Sequence, residues 1–431
     1  MPQSTPRPHF LRLACLLLLF SLHLSDFSRA QTSEIRTWTS TAGTSIRAKA
    51  IAYQDGKVNL ETSEGRVIPV EIKQLSPADQ DFLKNLYEMT EAPEKKPETV
   101  PSGTFPHPLG KVVGPIEANG SKYHLYLPKS LKPGVKVPLL FFTSSGGGGY
   151  GTLKPLIEGA EINGWVIATS VESKNGMEIK LCLQHTANCT QHITETLPVD
   201  PKRIYYSGGS GGSRVAFANS KEHKGAGVLA IIAGAQPDEE IRGRHYFFIT
   251  GATDYNRYGV AYSYDNLKSN SALRIHSGSH SAGPDWLRTE GMVWLETQAL
   301  QEIDEAPERA HFEAAVLPWL DQMKTKEPER AAWWANHLLA SELQSSETTS
   351  KLRALAEECA ASPESENYAE AIADIEDFAA KTLADGPRYS PDCFKHTSDK
   401  IQRKVDDLLE KYPNTPGITP VLNALKNKTG G

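Results

Sequence analysis

Six short apolar runs between residues 137 and 276 constrain this chain more than any other feature: VPLLFF, GWVIATS, RIYYS, GVLAIIAG, HYFFIT and ALRIH. Each is continuously apolar instead of alternating, and the segments between them are long enough to be helices. A strand that is apolar on both sides needs cover on both sides, which helical crossovers provide. The runs therefore predict a mainly parallel sheet with helices on both faces, an α/β fold over residues 110–300. A hairpin, KVVGPIEANGSKYHLYLP with an Asn119-Gly120 turn, leads into it.

The flanking sequence has a different character. Arg7 and Arg12 precede LACLLLLFSLHL, and SRA ends at Ala30. A positive start, a short apolar stretch and a small-residue site predict a signal peptide over residues 1–30, cleaved after Ala30. The apolar stretch falls short of the ~20 residues of a membrane span. No second long apolar run follows, so the mature chain is expected to be secreted or periplasmic, with no membrane span. Residues 31–87 carry short alternating runs, IRAKAIAY, KVNLET and RVIPVEI, separated by turn signals, and predict a small antiparallel β module. Its closing SPADQDFL reads as a helix capped by Ser76 with Pro77 at its first position, and Trp38 reads as a core residue. Residues 88–109, rich in Pro, Glu and Lys, read as an extended linker. Residues 301–431 show helical spacing only, in segments such as RAAWWANHLLASEL and SDKIQRKVDDLLEKY. At 431 residues the chain has room for more than one domain, and a net charge of −6 leaves no basic footprint for nucleic acid.

Export would make the cysteines a disulfide question. Cys15 leaves with the signal, and Cys182, Cys189, Cys359 and Cys393 remain. The simplest pairing is Cys182–Cys189 with Cys359–Cys393, one of three connectivities. Zinc is the alternative in CLQHTANCTQH, through Cys182, His185, Cys189 and His192. In a regular helix the two cysteines lie ~10 Å apart and the outer zinc ligands ~15 Å apart, so either reading needs a helix break near Thr186 to Asn188.

The chemistry is concentrated around YYSGGSGGSRVAF. GGSGG at 208–212 puts Ser210 between glycines, after the strand RIYYS and before the helix SRVAFANSKE. Strand, sharp turn and helix in that order expose a serine hydroxyl at the rim of a sheet, and Gly208 and Gly212 permit an approach that a Cβ would block. A serine needs a base, and the base needs an orienting acid. HYFFITGATDYNR places Asp254 in the loop after one strand, and ALRIHSGSHSAGPDWL places His280 in the loop after the next. His276 ends its strand and is the weaker candidate base. Asp265 reads as a solvated helix face, and Asp285 as the acidic start of the next helix. Oxyanion donors are expected from the Gly211 amide and from TSSGGGGYG, near Ser145 and Gly146. Tyr150, Tyr255, Tyr258 and Trp286 lie on loops expected to ring the site, with Tyr150 and Tyr255 as candidate substrate-binding residues.

On the elbow, the acid loop, the histidine loop and the glycine loop, residues 110–300 resemble the α/β-hydrolase superfamily, in the manner of exported bacterial esterases and depolymerase-like proteins. The resemblance implies Ser210 as nucleophile, Asp254 as acid and His280 as base, an ester substrate, and chemistry without cofactor or metal. Members often have histidine before the loop glycines, where this chain has Ser145. On Arg36-Thr37-Trp38, DGKVNL and LSPADQDFL, the N-terminal module resembles SLA1 homology domain 1, a small SH3-like barrel. That implies an accessory role, binding a protein or cell-envelope partner. Three functions are then open: an exported serine esterase, with polysaccharide-linked or polymeric esters as candidate substrates; a serine peptidase of the same fold; and an inactive hydrolase-like binding or scaffold protein.

Overall fold

The computed structural model describes residues 34–54, 57–63, 65–86, 105–235, 238, 240–302, 306–360, 363–386 and 399–426. The expected signal, most of the expected linker and Cys393 lie outside the described residues. The chain forms two compact units, Met1–Thr99 and Val100–Gly431.

In the first unit, β1 (Arg36–Thr39), β2 (Ser45–Gln54), β3 (Lys57–Thr62) and β4 (Val67–Glu71) form an antiparallel sheet in sequence order. Alternation sets its inner face: Val58 and Leu60 are buried, while Lys57 is exposed. Trp38 lies fully inside, its indole N–H donating to Ala48 O at 2.9 Å and its ring edge-on to Phe82. Truncating a core tryptophan of this kind costs about 3–5 kcal/mol. After β4 the chain returns to the open edge of β1, where Thr41 N donates to Gln74 O and Ser76 N to Thr39 O. Helix α1 (Pro77–Leu86) then starts on a Ser76 cap, with Asp79 N donating to Ser76 Oγ at 3.2 Å. The buried Asp79 carboxylate also accepts from Thr39 N and pairs with Arg36, fixing the helix to the first strand.

The second unit is built on an eight-stranded sheet. Its strands are β5 (Val112–Ala118), β6 (Ser121–Tyr126), β7 (Val137–Thr143), β8 (Val166–Ser170), β9 (Val199–Gly209), β10 (Gly227–Ile231), β11 (His245–Gly251) and β12 (Ser271–His276). The order is β12-β11-β10-β9-β7-β8-β6-β5. β7 to β12 run parallel, and the β5–β6 hairpin adds two antiparallel strands at one edge. Asn119 and Gly120 both take positive φ in the hairpin turn, as an Asn-Gly type I′ turn requires. Every residue of β7, β8 and β10 is buried, and alternate side chains serve different cores. Leu139 and Phe141 belong to one core with residues of α4 (Ile179–Thr196), α5 (Gly211–Glu222) and α6 (Arg257–Leu267). Leu140 and Phe142 belong to the other, with α3 (Ile157–Asn163) and α7 (Trp286–Glu302). A short helix, α2 (Tyr150–Leu153), follows the glycine loop after β7. This is the mainly parallel sheet, covered by helices on both faces, that the apolar runs predict.

The C-terminal helices complete the same two cores. Residues of α8 (Ala306–Lys324), α9 (Pro328–Ala340) and α10 (Ser346–Ala360) join the second, and those of α11 (Pro363–Phe378), α12 (Asp399–Lys411) and α13 (Thr419–Lys426) join the first. A buried polar set links them to the sheet edge. Glu376 on α11 accepts from Leu273 N and pairs with Arg274 on β12, both at 3.0 Å. Glu290 on α7 accepts from the Trp334 indole at 2.8 Å and pairs with Arg330 at 2.9 Å. A pair buried as deeply as Arg330 and Glu290 fixes geometry more than it adds net stability. No helix among the described residues is long and apolar enough to cross a membrane.

One expectation fails here. α4 runs unbroken through Cys182 and Cys189, so the two thiols lie two turns apart and form no disulfide. The polar face that suggested a break is instead seated on the hairpin. His185 bonds Ser121 Oγ at 2.8 Å, His192 bonds Tyr123 OH at 2.9 Å, and Asn188 donates to Asn119 O at 3.0 Å. The same regular helix removes the geometry that a zinc site needed. Cys359 is buried on α10, and its expected partner Cys393 lies outside the described residues. Burial pushes the Cys189 thiol up to about 12, so it stays protonated and unreactive in the folded chain. Alkylation without prior reduction is therefore expected to label Cys182 and Cys189 once the chain is denatured, and not before. A cross-linked 182–189 peptide in the mass spectrum would refute this.

Candidate active site

The site is built from a backbone constraint outward. β9 ends at Gly209, α5 begins at Gly211, and Ser210 between them takes φ 56° and ψ −119°. A non-glycine residue in such a conformation costs about 1–3 kcal/mol and persists only where its surroundings impose it. Here Ser210 N donates to Ile231 O at 2.9 Å and Ser213 N to Ser210 O at 3.0 Å. A Cβ at Gly208 would lie 2.3 Å from the Gly212 backbone, and one at Gly212 would lie 2.1 Å from Thr143 O. Thr143 Oγ1 then ties the end of β7 to the elbow, donating to Gly212 O at 2.7 Å.

Two neighbouring loops bring the acid and the histidine to the serine. Ala252 N donates to His276 O, and Thr253 N to Gly278 O, joining the loops after β11 and β12. A Cβ at Gly251 would lie 2.1 Å from Ser279 O, so this approach also needs glycine. The fully buried Asp254 accepts through Oδ1 from Asn256 N at 2.8 Å and from His280 Nδ1 at 2.9 Å. His280 Nε2 lies 2.9 Å from Ser210 Oγ. With its Nδ1 proton held by the carboxylate, the imidazole presents a lone pair at Nε2 to the serine hydroxyl. Thus Ser210, His280 and Asp254 stand in one hydrogen-bonded line.

The other nominated residues divide. Tyr255 reaches His280, its hydroxyl 2.6 Å from Nε2 and its ring stacked on the imidazole at 4.0 Å. Tyr150 is exposed at the start of α2. Tyr258 does not ring the site: it is buried in α6 beside Arg257. Trp286 lies under the Arg330 guanidinium, 3.9 Å from its ring centroid. His276 braces the histidine loop, with Nδ1 accepting from Gly278 N and Nε2 bonded to Ser281 O. Burial lowers its pKa, which suits a neutral ring in that role. Asp265 pairs with Lys268 on the solvated face of α6, and Asp285 with Arg288 at the start of α7. Gly211 supplies the first amide of α5, a position without an intrahelical acceptor. The Ser145 loop runs beside it, since a Cβ at Gly212 would lie 3.3 Å from Ser144 C. The Gly146 amide, however, donates to Ser144 Oγ at 3.2 Å.

Sequence reasoning missed the supports. Asn256 donates its backbone N–H to Asp254 and its side chain to Ile232 O, and Arg257 donates to Asp254 O. The Asp-x-Asn spacing of DYN, which suits an Asx turn, was the available signal.

Comparison with known proteins adds the following. Residues 26–91 match the family model of SLA1 homology domain 1. No curated protein matches the chain. Among solved structures, the chain is similar to a thermostable esterase at 16% identity and TM-score 0.34, over 41% of this chain and 58% of that one. It is similar to an esterase of Pyrobaculum calidifontis at 12% identity and TM-score 0.36, over 45% of this chain and 87% of that one. Est1E from Butyrivibrio proteoclasticus gives 14% identity and TM-score 0.35, over 45% of this chain and all of that one. At these scores the likenesses carry no argument about function.

Burial raises the pKa of Asp254, against the lowering effects of the Asn256 amide and His280. A carboxyl whose pKa rises on folding destabilises the fold above that raised value and ceases to do so below its unfolded value. Asp254→Asn is therefore expected to melt at the wild-type temperature or higher near neutral pH, with the difference closing as pH falls through the carboxylate range. Thermal unfolding followed by circular dichroism at both pH values checks this, and a clear loss at neutral pH would contradict it.

Proposed function

We propose that the chain is an exported serine hydrolase that cleaves carboxylic esters through an acyl-enzyme. The observation that carries this reading is the line from Ser210 Oγ to His280 Nε2 and from Nδ1 to Asp254 Oδ1, with 2.9 Å at each step. Ser210 Oγ attacks the ester carbonyl while His280 Nε2 takes its proton, and Asp254 stabilises the imidazolium that forms. The Gly211 amide faces the charge that develops on the carbonyl oxygen. Collapse of the tetrahedral adduct breaks the bond to the alkoxide, which leaves with the proton from Nε2. Water then enters by the same route, giving up a proton to His280 and releasing the acid and the serine.

Tyr255, stacked on the imidazole, lies against the leaving-group side in this scheme and contributes to substrate binding. Export rests on the N-terminal sequence pattern, and the SLA1-like module is assigned the accessory role of holding the hydrolase near a protein or cell-envelope partner. Polysaccharide-linked and polymeric esters are the substrates to try first.

The purified chain is expected to hydrolyse short activated acyl esters and to be labelled by a fluorophosphonate probe. Ser210→Ala should remove labelling and lower kcat by about 10⁶, as loss of a triad nucleophile does. Asp254→Asn should lower kcat by about 10⁴. Labelling that survives in Ser210→Ala would defeat the assignment. Faster turnover of peptide amides than of esters would replace esterase by peptidase, and no turnover of either would leave a binding protein.

A further inference from the structure

The glycine run after β7 does not offer the donors its composition promises. Gly146 N donates to Ser144 Oγ at 3.2 Å, Gly147 N to Ser144 O at 3.4 Å, Gly148 N to Ser170 O at 2.7 Å and Gly149 N to Thr152 Oγ1 at 3.3 Å. All four amides are engaged close to home. What the run does is hold the segment after β8 against the elbow. Gly146 pairs with Lys174 in an isolated bridge, and Asn175 N donates to Ser145 O at 2.9 Å. Gly148 fits only without a Cβ, which would lie 2.1 Å from Thr169 Oγ1.

The side chain carried there meets the nucleophile's neighbour. A Cβ on Gly211 would lie 1.9 Å from Asn175 Oδ1 and 3.2 Å from Asn175 Nδ2. Asn175 thus occupies the space that any other residue at 211 would fill, beside the residue whose amide faces the reacting carbonyl. Among the hydrogen bonds found between described residues, none uses the Asn175 side chain. Rotation about its last side-chain bond exchanges Oδ1 for Nδ2, so the group can present an N–H where the structure holds an oxygen.

We propose that the Asn175 side-chain amide is a second donor to the oxyanion, a catalytic residue acting beside the Gly211 amide. The inference rests on the serine-hydrolase reading of Ser210 and adds a residue to it. A side-chain donor suits a chain whose loop glycines are otherwise engaged. It also gives Gly211 a reason to be glycine, because a methyl group there would push the amide away.

Steady-state kinetics on a short activated ester test this in the full chain. Asn175 is exposed, so its substitution is expected to leave the melting temperature unchanged. Asn175→Leu keeps the volume without a donor and is expected to lower kcat by about 10²–10³ with KM within about twofold. Gly211→Ala should lower kcat similarly, and the Gly211→Ala/Asn175→Ala pair should be no slower than Asn175→Ala alone, because the two changes remove one interaction. Wild-type kcat in Asn175→Leu overturns the proposal while Ser210-dependent turnover leaves the hydrolase reading standing. A change confined to KM also overturns it, since that marks ground-state binding. If the wild-type chain turns over no ester, both readings fall together.

Discussion

The contact on which this structure turns is one of backbone against backbone. The end of β9, the first turn of α5 and the end of β7 come so close at Gly208, Gly212 and Thr143 that no side chain fits among them. That packing holds Ser210 in a conformation it would not choose, and lifts its hydroxyl to the rim. A second glycine approach, Gly251 against Ser279, brings the acid and histidine loops together. The hydrogen-bonded line through Asp254, His280 and Ser210 follows from these two approaches.

Buried charge appears twice in the second unit, with different consequences. Among the described residues Asp254 forms no salt bridge with a lysine or arginine; its partner is His280, and its Oδ2 has no hydrogen bond. Such a group costs stability and is suited to steadying a transient imidazolium. Elsewhere the charges are paired: Arg203 on β9 with Glu296 and Glu308, and Arg274 and Arg330 with Glu376 and Glu290. These join strands to helices. Their value lies in register, because a slipped helix would strand a charge in the core.

Much of the sheet was legible because a strand covered on both faces can carry no polar alternation, and all six apolar runs lie on parallel strands. Ser210, Asp254 and His280 were legible because each follows such a run at the rim. The cysteine helix was misread for a physical reason: its polar residues answer to Ser121, Tyr123 and Asn119, some seventy residues earlier, and no local pattern reveals that. Tyr258 turns into the core, because loop proximity in sequence does not fix which way an aromatic ring turns. Asn175 stayed hidden inside what looks like an ordinary Asn-Gly turn, its position set by glycines on a different loop.

The link between Leu273 and Glu376 reaches across more than a hundred residues of chain. The strand that carries the histidine loop is therefore finished by a helix that a ribosome makes much later. Long-range contacts of this sort form slowly, because loop closure must precede the reward. Until α11 arrives, the Leu273 amide lacks its acceptor and Arg274 has only Glu290 of its two carboxylates. The Leu273 amide is thus satisfied only with the C-terminal helices in place, which couples the strand before the histidine loop to a distant part of the chain.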